Sequence, residues 1–252
     1  MGRLQDKVAV ITGSAQGIGA HYAKAIAAEG AKVVVTDVVD PQKCVDAIKA
    51  AGGTAIGRHV DVTDSKALAQ MVGEVESAFG PIDILVNNAA IFASLGRKSF
   101  WDIGDDEWDN LMRVNVRGTF QATKAVLPSM EKATGRKKIV NISSATFFLG
   151  PPGMLHYVTS KAAIVGMTRS LARELGDKQI NVNAIAPGFT ESESVVTNPE
   201  LMHSREPNRA QRTIKRDMLP EDLLGTMIYL CSSDSDFVTG QLINVDGGKM
   251  MW

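Results

Sequence analysis

The sequence predicts an α/β fold: a doubly wound parallel sheet of about seven strands with helices on both faces, in three layers. Three observations carry this prediction. Short β-branched runs alternate with longer stretches of helical spacing along the whole chain, the pattern of right-handed βαβ units. The strand candidates are near-continuous Val and Ile, as strands buried on both faces require. No linker, repeat or low-complexity segment divides the 252 residues, so one domain over residues 1–252 is expected.

Lys7–Thr12 (KVAVIT) reads as the first strand, and the Ala-rich stretch Gly17–Glu29 as the helix that returns from it. Lys32–Asp37 (KVVVTD) is the second strand. Pro41–Ala51 opens on a proline suited to a first turn and stops before Gly52-Gly53, a good terminator. A third strand lies within Thr54–Asp61. Asp64 caps a helix that runs to Phe79 and is closed by Gly80-Pro81. Ile82–Val86 is the fourth strand, followed by one long helix from about Asp105 to Met130. Lys138–Ser143, Ile180–Ala184 and Gln241–Val245 are the remaining strands, with helices at Tyr157–Leu175 and Pro220–Cys231. The stretch from Gly188 to Met218 is polar and without clear period.

Lys and Arg total 27 against 28 Asp and Glu, a formal charge of −1. That balance offers no field to gather nucleic acid or an anionic membrane, so neither is an expected partner. Apolar residues at 44% and charged residues at 22% suit a globular domain. No apolar run reaches the roughly 18 residues of a membrane span. The first residues lack the length and cleavage site of a signal peptide, and Asp6 stands where myristoylation at Gly2 needs Ser or Thr. A cytoplasmic protein acting on a small molecule is expected. Cys44 and Cys231 have no metal-like spacing and read as reduced thiols, with a bridge as the alternative. The four histidines are scattered, so no metal site is expected.

Doubly wound sheets bind ligands beyond the carboxyl ends of their strands. There the first strand runs into Thr12-Gly13-Ser14-Ala15-Gln16-Gly17-Ile18-Gly19. Gly13 permits a tight turn, Gly17 lets the backbone approach a phosphate, and Gly19 lets the helix pack close. The helix start, with Gln16 and Ile18 in its loop, offers free N–H groups to a pyrophosphate. A glycine-rich turn that serves packing alone is the alternative. Asp37 ends the second strand eighteen residues past Gly19. An acid there can hydrogen-bond the adenosine ribose hydroxyls and would repel a 2′-phosphate. Val38-Val39 follow it and the glycine loop carries no base, which favours NAD over NADP; a surface Asp capping a loop is the bland reading. Asp61-Val62 and Asn88-Ala89 end the next two strands, placed to meet the adenine and its ribose.

Tyr157 and Lys161 lie four apart on a helix and share a face. A free phenol has a pKa of about 10, so basic action near neutrality needs about 3–4 kcal/mol of help. An ammonium about 4–5 Å away supplies a comparable amount at an effective dielectric near 20. Alone, the pair could be chance. Ser144, however, ends the fifth strand thirteen residues before Tyr157, Asn115 sits inside the long helix, and Pro187-Gly188 closes the next strand.

These marks, Thr12-Gly13-x-x-x-Gly17-x-Gly19, Asn87-Asn88-Ala89, Asn115, Ser144, Tyr157-x-x-x-Lys161 and Pro187-Gly188, in this order and spacing, resemble the single-domain short-chain dehydrogenase/reductases from Lys7 to Gly248. The resemblance implies a seven-stranded Rossmann fold and a set of roles. Tyr157 would be the general acid/base, Lys161 would lower its pKa and hold the nicotinamide ribose, and Ser144 would orient the substrate oxygen. Asn115 would bind a water of the proton relay, and Thr190 with Ser192 would contact the carboxamide or pyrophosphate. Relatives are commonly homotetramers, with the long helix and the Tyr-bearing helix at an interface. The chain departs from the family at Ala90, usually Gly, and at Ser192, often Thr.

Phe92, Thr146, Phe147, Phe148, Leu149, Met154, Leu155 and Phe189 are candidates for the substrate pocket, with core packing as the alternative for the two phenylalanines. Such a lining suits a hydrophobic or aromatic secondary alcohol or ketone. Residues 189–218 are expected to form a lid. Arg205, Arg209, Arg212, Lys215 and Arg216 of this stretch form either a solvated face or a handle for an anion. Two other functions fit less well: an NADPH-dependent 3-oxoacyl thioester reductase, against which Asp37 argues, and a non-catalytic nucleotide-binding scaffold, against which the intact polar set argues.

Overall fold

The computed structural model describes residues 2–251. Seven strands, β1 (Val8–Thr12), β2 (Lys32–Asp37), β3 (Thr54–His59), β4 (Ile84–Asn87), β5 (Lys137–Ile142), β6 (Ile180–Pro187) and β7 (Leu242–Val245), form one sheet in the order β3-β2-β1-β4-β5-β6-β7. Every pairing is parallel. The order reverses between β1 and β4, so a crevice opens beyond their carboxyl ends.

The alternation of side chains along each strand divides the core in two. From β1, Ala9 and Ile11 face one side with α1 (Gly17–Ala28), α2 (Gln42–Ala50) and α11 (Glu221–Cys231). Val8 and Val10 face the other with α3 (Ser65–Phe79), α5 (Thr119–Met130) and α7 (Leu155–Leu175). Strands covered on both faces explain why their sequences are apolar without alternation. Cys44 and Cys231 are buried, unbridged thiols. Among the described residues no helix is long and apolar enough to cross a membrane.

The Asp64 carboxylate accepts the N–H groups of Lys66 and Ala67 at 2.8 and 3.1 Å and so caps α3. Asp64→Ala should cost about 1 kcal/mol, read as a lowered midpoint in urea unfolding; an unchanged midpoint would mean that water replaces the cap.

Two expectations need correction. The long helix is not continuous: α4 (Asp105–Met112) passes into a π-helical turn at Arg113–Gly118 before α5 resumes. Such turns insert a residue without ending the helix, so apolar spacing runs across it almost unbroken. Gly118 lies in this turn, and a Cβ there would meet the Val62 side chain at 2.6 Å. The stretch after β6 is not irregular either. It holds three short helices, α8 (Glu193–Val196), α9 (Pro199–Met202) and α10 (Arg205–Gln211), each too short to print a helical period. Before α7, α6 (Thr146–Leu149) is a single turn.

Candidate active site

A cleft of about 870 Å³ opens at the carboxyl edge of the sheet. Gly13, Gln16, Gly17, Ile18 and Gly19 line one end, with Asp37, Asp61, Val62, Asn88 and Ala89. Ser144, Tyr157, Lys161, Pro187, Gly188, Thr190 and Ser192 line the other, with Phe92, Thr146, Met154 and Phe189. Asn115 and the pocket candidates Phe147, Phe148 and Leu155 lie outside the lining.

The glycine loop fits a dinucleotide phosphate. Gly13 has φ +62°, and a Cβ there would lie 2.7 Å from the Ala89 Cα. Gly17 has φ +58° with only the Ser194 hydroxyl within reach of an added Cβ, at 3.9 Å, so its cleft side is open backbone. At Gly19 a Cβ would meet the Gly13 carbonyl oxygen at 2.1 Å and Asn88 Nδ2 at 2.5 Å, so the close packing expected of it is against the loop itself. Asn88 holds this turn: Nδ2 donates to the carbonyls of Thr12 and Gly13 at 3.0 and 2.7 Å, and the N–H groups of Asn88 and Ala89 donate to Thr12 Oγ1. Asp37 is fixed by backbone as well as placed at the cleft. It accepts N–H groups from Ala15 at 3.0 Å, Val38 at 2.7 Å and Val39 at 3.3 Å. The capping and the ligand-facing readings of this residue therefore coexist.

Tyr157 and Lys161 project from α7 into the buried end of the cleft. Lys161 Nζ donates to the Ile142 carbonyl at 2.9 Å and lies 5.7 Å from the centre of the Tyr157 ring. Burial is the dominant influence on both groups. It raises the phenol above its ordinary 10, while a hydrogen bond with Ser144 pulls it part of the way back. It lowers the Lys161 ammonium to about 8. The ammonium sits over the ring, and the influences on the phenol are burial first and the Ser144 hydrogen bond second. Ser144 Oγ also accepts from Thr146 Oγ1 at 2.9 Å. The Tyr157 ring packs against Phe92 at 5.0 Å.

Asn115 lies in the π-helical turn, buried. Its Oδ1 accepts the Ile91 N–H at 2.8 Å, and Nδ2 donates to the Ile91 carbonyl at 3.3 Å and to Ser160 Oγ at 3.2 Å. The extra residue of the turn thus aims an amide at the loop after β4 and at α7 together. Thr190 Oγ1 donates to the Gly188 carbonyl at 3.0 Å, and Ser192 Oγ lies 3.3 Å from Ser194 Oγ. Phe147 packs against Phe148 at 4.8 Å on α6, whereas Leu149 lines the cleft. Two positions apart on a helical turn, Phe147 and Leu149 point to opposite sides, while Leu149 shares the face of Thr146 three positions earlier.

Sequence reasoning missed two cations of the lining, Arg97 and Lys249, and named the third, Arg212, only among five candidates for an anion handle. They come from three distant segments and carry no local pattern.

A family model described as enoyl-(acyl carrier protein) reductase matches residues 13–249. The chain belongs to the short-chain dehydrogenase/reductase family. It is 38% identical over 254 residues to a 3-oxoacyl-(acyl-carrier-protein) reductase of Thermotoga maritima, covering 99% of this chain and 100% of that protein. A trans-4-hydroxycyclohexanecarboxylate dehydrogenase of Sinomonas cyclohexanicum is 35% identical over 255 residues, covering 98% of this chain and 94% of that one. A short-chain dehydrogenase of Burkholderia cenocepacia, solved in complex with NADP, superposes with a TM-score of 0.86 at 34% identity, covering 98% and 99% of the two chains. As a short-chain dehydrogenase/reductase the chain is an oxidoreductase of CH–OH groups that uses a nicotinamide cofactor.

Proposed function

We propose that this short-chain dehydrogenase/reductase interconverts a secondary alcohol and a ketone, with NAD as its cofactor and Tyr157 as general acid/base. The observation that carries the reading is one buried group, Ser144, Tyr157 and Lys161, opening into the same cleft as the glycine loop. A bound nicotinamide supplies the hydride acceptor or donor. The glycine loop and Thr190 would hold the cofactor, and Asp37 its adenosine ribose. Ser144 orients the substrate oxygen, and Tyr157 Oη exchanges a proton with that oxygen. With its phenol raised by burial, Tyr157 is protonated near neutrality and ready to donate as a carbonyl becomes an alcohol. Asn115 fixes the loop after β4 against α7, and so positions Phe92 beside the phenol.

Phe92, Leu149, Met154 and Phe189 in the lining favour a hydrophobic or aromatic substrate. Residues 189–218 act as a lid of the single domain; Asn198 Nδ2 already reaches across to the Ala93 carbonyl at 2.9 Å. The homotetramer rests on the family resemblance; exposed Phe100 and Trp101, in the turn before α4, and Phe120, on α5, offer apolar surface for contacts between copies. We place the enzyme in the cytoplasm.

A second reading, reduction of a 3-oxoacyl thioester with NADPH, is favoured by the Thermotoga relative for its substrate and by the NADP-bound Burkholderia neighbour for its cofactor. Initial rates on a panel of secondary alcohols and ketones decide. NAD should be preferred at least tenfold over NADP, because the Asp37 carboxylate meets a 2′-phosphate with like charge. A preference for NADPH overturns the cofactor assignment, and binding without turnover on the whole panel overturns the activity.

A further inference from the structure

All but one of the cations around the lid fall into two sets; Lys215, exposed and donating to the Ala210 carbonyl, belongs to neither. Arg205, Arg209 and Arg216 lie outside the cleft lining and are each neutralised by carboxylates. Arg205 pairs with Glu191 and Asp217, Arg209 with Glu206, and Arg216 with Asp222. Arg97, Arg212 and Lys249 line the cleft, and among the described residues none of them pairs with a carboxylate. Arg97 Nη2 donates to Ser204 Oγ at 3.1 Å, and Lys249 Nζ to Asn208 Oδ1 at 2.8 Å. Ser204 and Asn208 are one turn apart and hydrogen-bonded to each other at 3.1 Å through the backbone, so both cations converge on a single turn of the lid. Arg212 is 2% exposed, donates to the carbonyls of Phe189 and Arg216, and leaves a buried Nε without a partner. Four carboxylates act on Arg212 from a distance, Asp217, Asp246, Glu191 and Asp222, and Asp246 acts on Lys249 as well; Asp246 accepts the N–H groups of Gly248, Lys249 and Met250 at 3.0 to 3.1 Å. Neutral hydrogen-bond partners orient these cations at the cleft, Arg97 exposed, Lys249 half-buried and Arg212 buried, and leave each able to take an anion as its direct charged partner. Burial lowers the pKa of both Arg212 and Lys249 accordingly.

We infer that Arg97, Arg212 and Lys249 form a site for an anionic group carried by the substrate, a carboxylate or the phosphate of a thioester carrier. The inference rests on the proposed alcohol–ketone reading and narrows it. The substrate would present an apolar body to Phe92 and Met154, its reacting carbon to Tyr157 and its anion to the lid. Binding it would neutralise the cations that hold Ser204 and Asn208, and so tie lid closure to the right substrate.

The test compares 4-(1-hydroxyethyl)benzoate, its methyl ester and a 3-hydroxybutyryl coenzyme A thioester in wild-type protein, Lys249→Met, Arg97→Met and, as a control outside the cleft, Arg209→Met. For at least one of the two anionic substrates, KM should rise tenfold or more in Lys249→Met and Arg97→Met. KM for the ester and Kd for the cofactor should stay within twofold, and Arg209→Met should match wild type. The acid or the thioester responding identifies the source of the anion. Equal KM values across the three proteins for both anionic substrates overturn the inference. So does a weakened cofactor Kd with unchanged discrimination between acid and ester, which would assign the cations to the dinucleotide. If nothing is turned over, the alcohol–ketone reading fails on its own. Calorimetric titration with the benzoate and with the coenzyme A thioester then still reads the site: at least one must bind wild type at least tenfold more tightly than Lys249→Met, and equal or absent binding of both overturns it.

Discussion

Tyr157→Phe is expected to lower kcat by about 10²- to 10⁴-fold, the usual worth of a positioned acid or base. The substitution removes one oxygen and keeps the ring that packs against Phe92 at 5.0 Å, so folding and KM should change little. The phenol is buried, raised in pKa by that burial, and hydrogen-bonded to Ser144; no other phenol lines the cleft. A proton must reach or leave the substrate oxygen as the hydride moves, and water is poorly placed to replace a group held inside. Steady-state rates in both directions check this, with circular dichroism and cofactor titration to confirm an intact protein. A variant that keeps more than a tenth of wild-type kcat removes Tyr157 from the chemistry.

The strands and the glycine loop were legible because their causes are local. β1 and the middle of β2 are buried on both faces and are apolar over Val8–Ile11 and Val33–Val35, and Gly13 adopts φ +62°, which other residues rarely do. Asp64 was legible as a cap for the same reason. The π-helical turn at Arg113–Gly118 was not, since it shifts the helix by a single residue, and Val62, which a Cβ on Gly118 would meet, lies over fifty positions away in sequence. Gly118, three residues after Asn115 in the middle of a long helix, was the one available signal. The pocket was legible in part. Residues at strand ends fell where the sheet put them, but Phe147 and Leu149 differ only in direction around one turn of α6. Lys249 enters the cleft because β7 and the turn held by Asp246 bring it there, which no local pattern records.

That the polar set was legible does not mean its electrostatics were. The reasoning from Tyr157 and Lys161 took the attraction between an ammonium and a phenolate and left out the cost of burying both. In the structure that cost dominates, and it makes Lys161→Met an informative substitution. The ammonium is lowered from 10.5 to about 8 by burial. Below about pH 8 the folded protein therefore carries a charge that the unfolded chain would solvate more cheaply. Between that pH and 10.5 the unfolded chain binds more protons, so wild-type stability rises with pH through this window. The full penalty, present below pH 8, is about 3 kcal/mol. Methionine fills a similar volume without the charge but leaves the Ile142 carbonyl without its donor at 2.9 Å, a loss of about 1 kcal/mol. Lys161→Met should therefore be about 2 kcal/mol more stable than wild type at pH 7, and this advantage should vanish by about pH 10.5. Urea unfolding of cofactor-free protein at pH 6, 7 and 10, at one protein concentration, measures it. The same variant should lose at least a hundredfold in kcat, because the cation beside the phenol is gone. Lower stability at pH 7 would mean that the ammonium is compensated in the fold and that its pKa is not depressed. Gain of stability with loss of turnover would instead place Lys161 among residues kept charged against the preference of the fold, for the sake of the proton it helps to move.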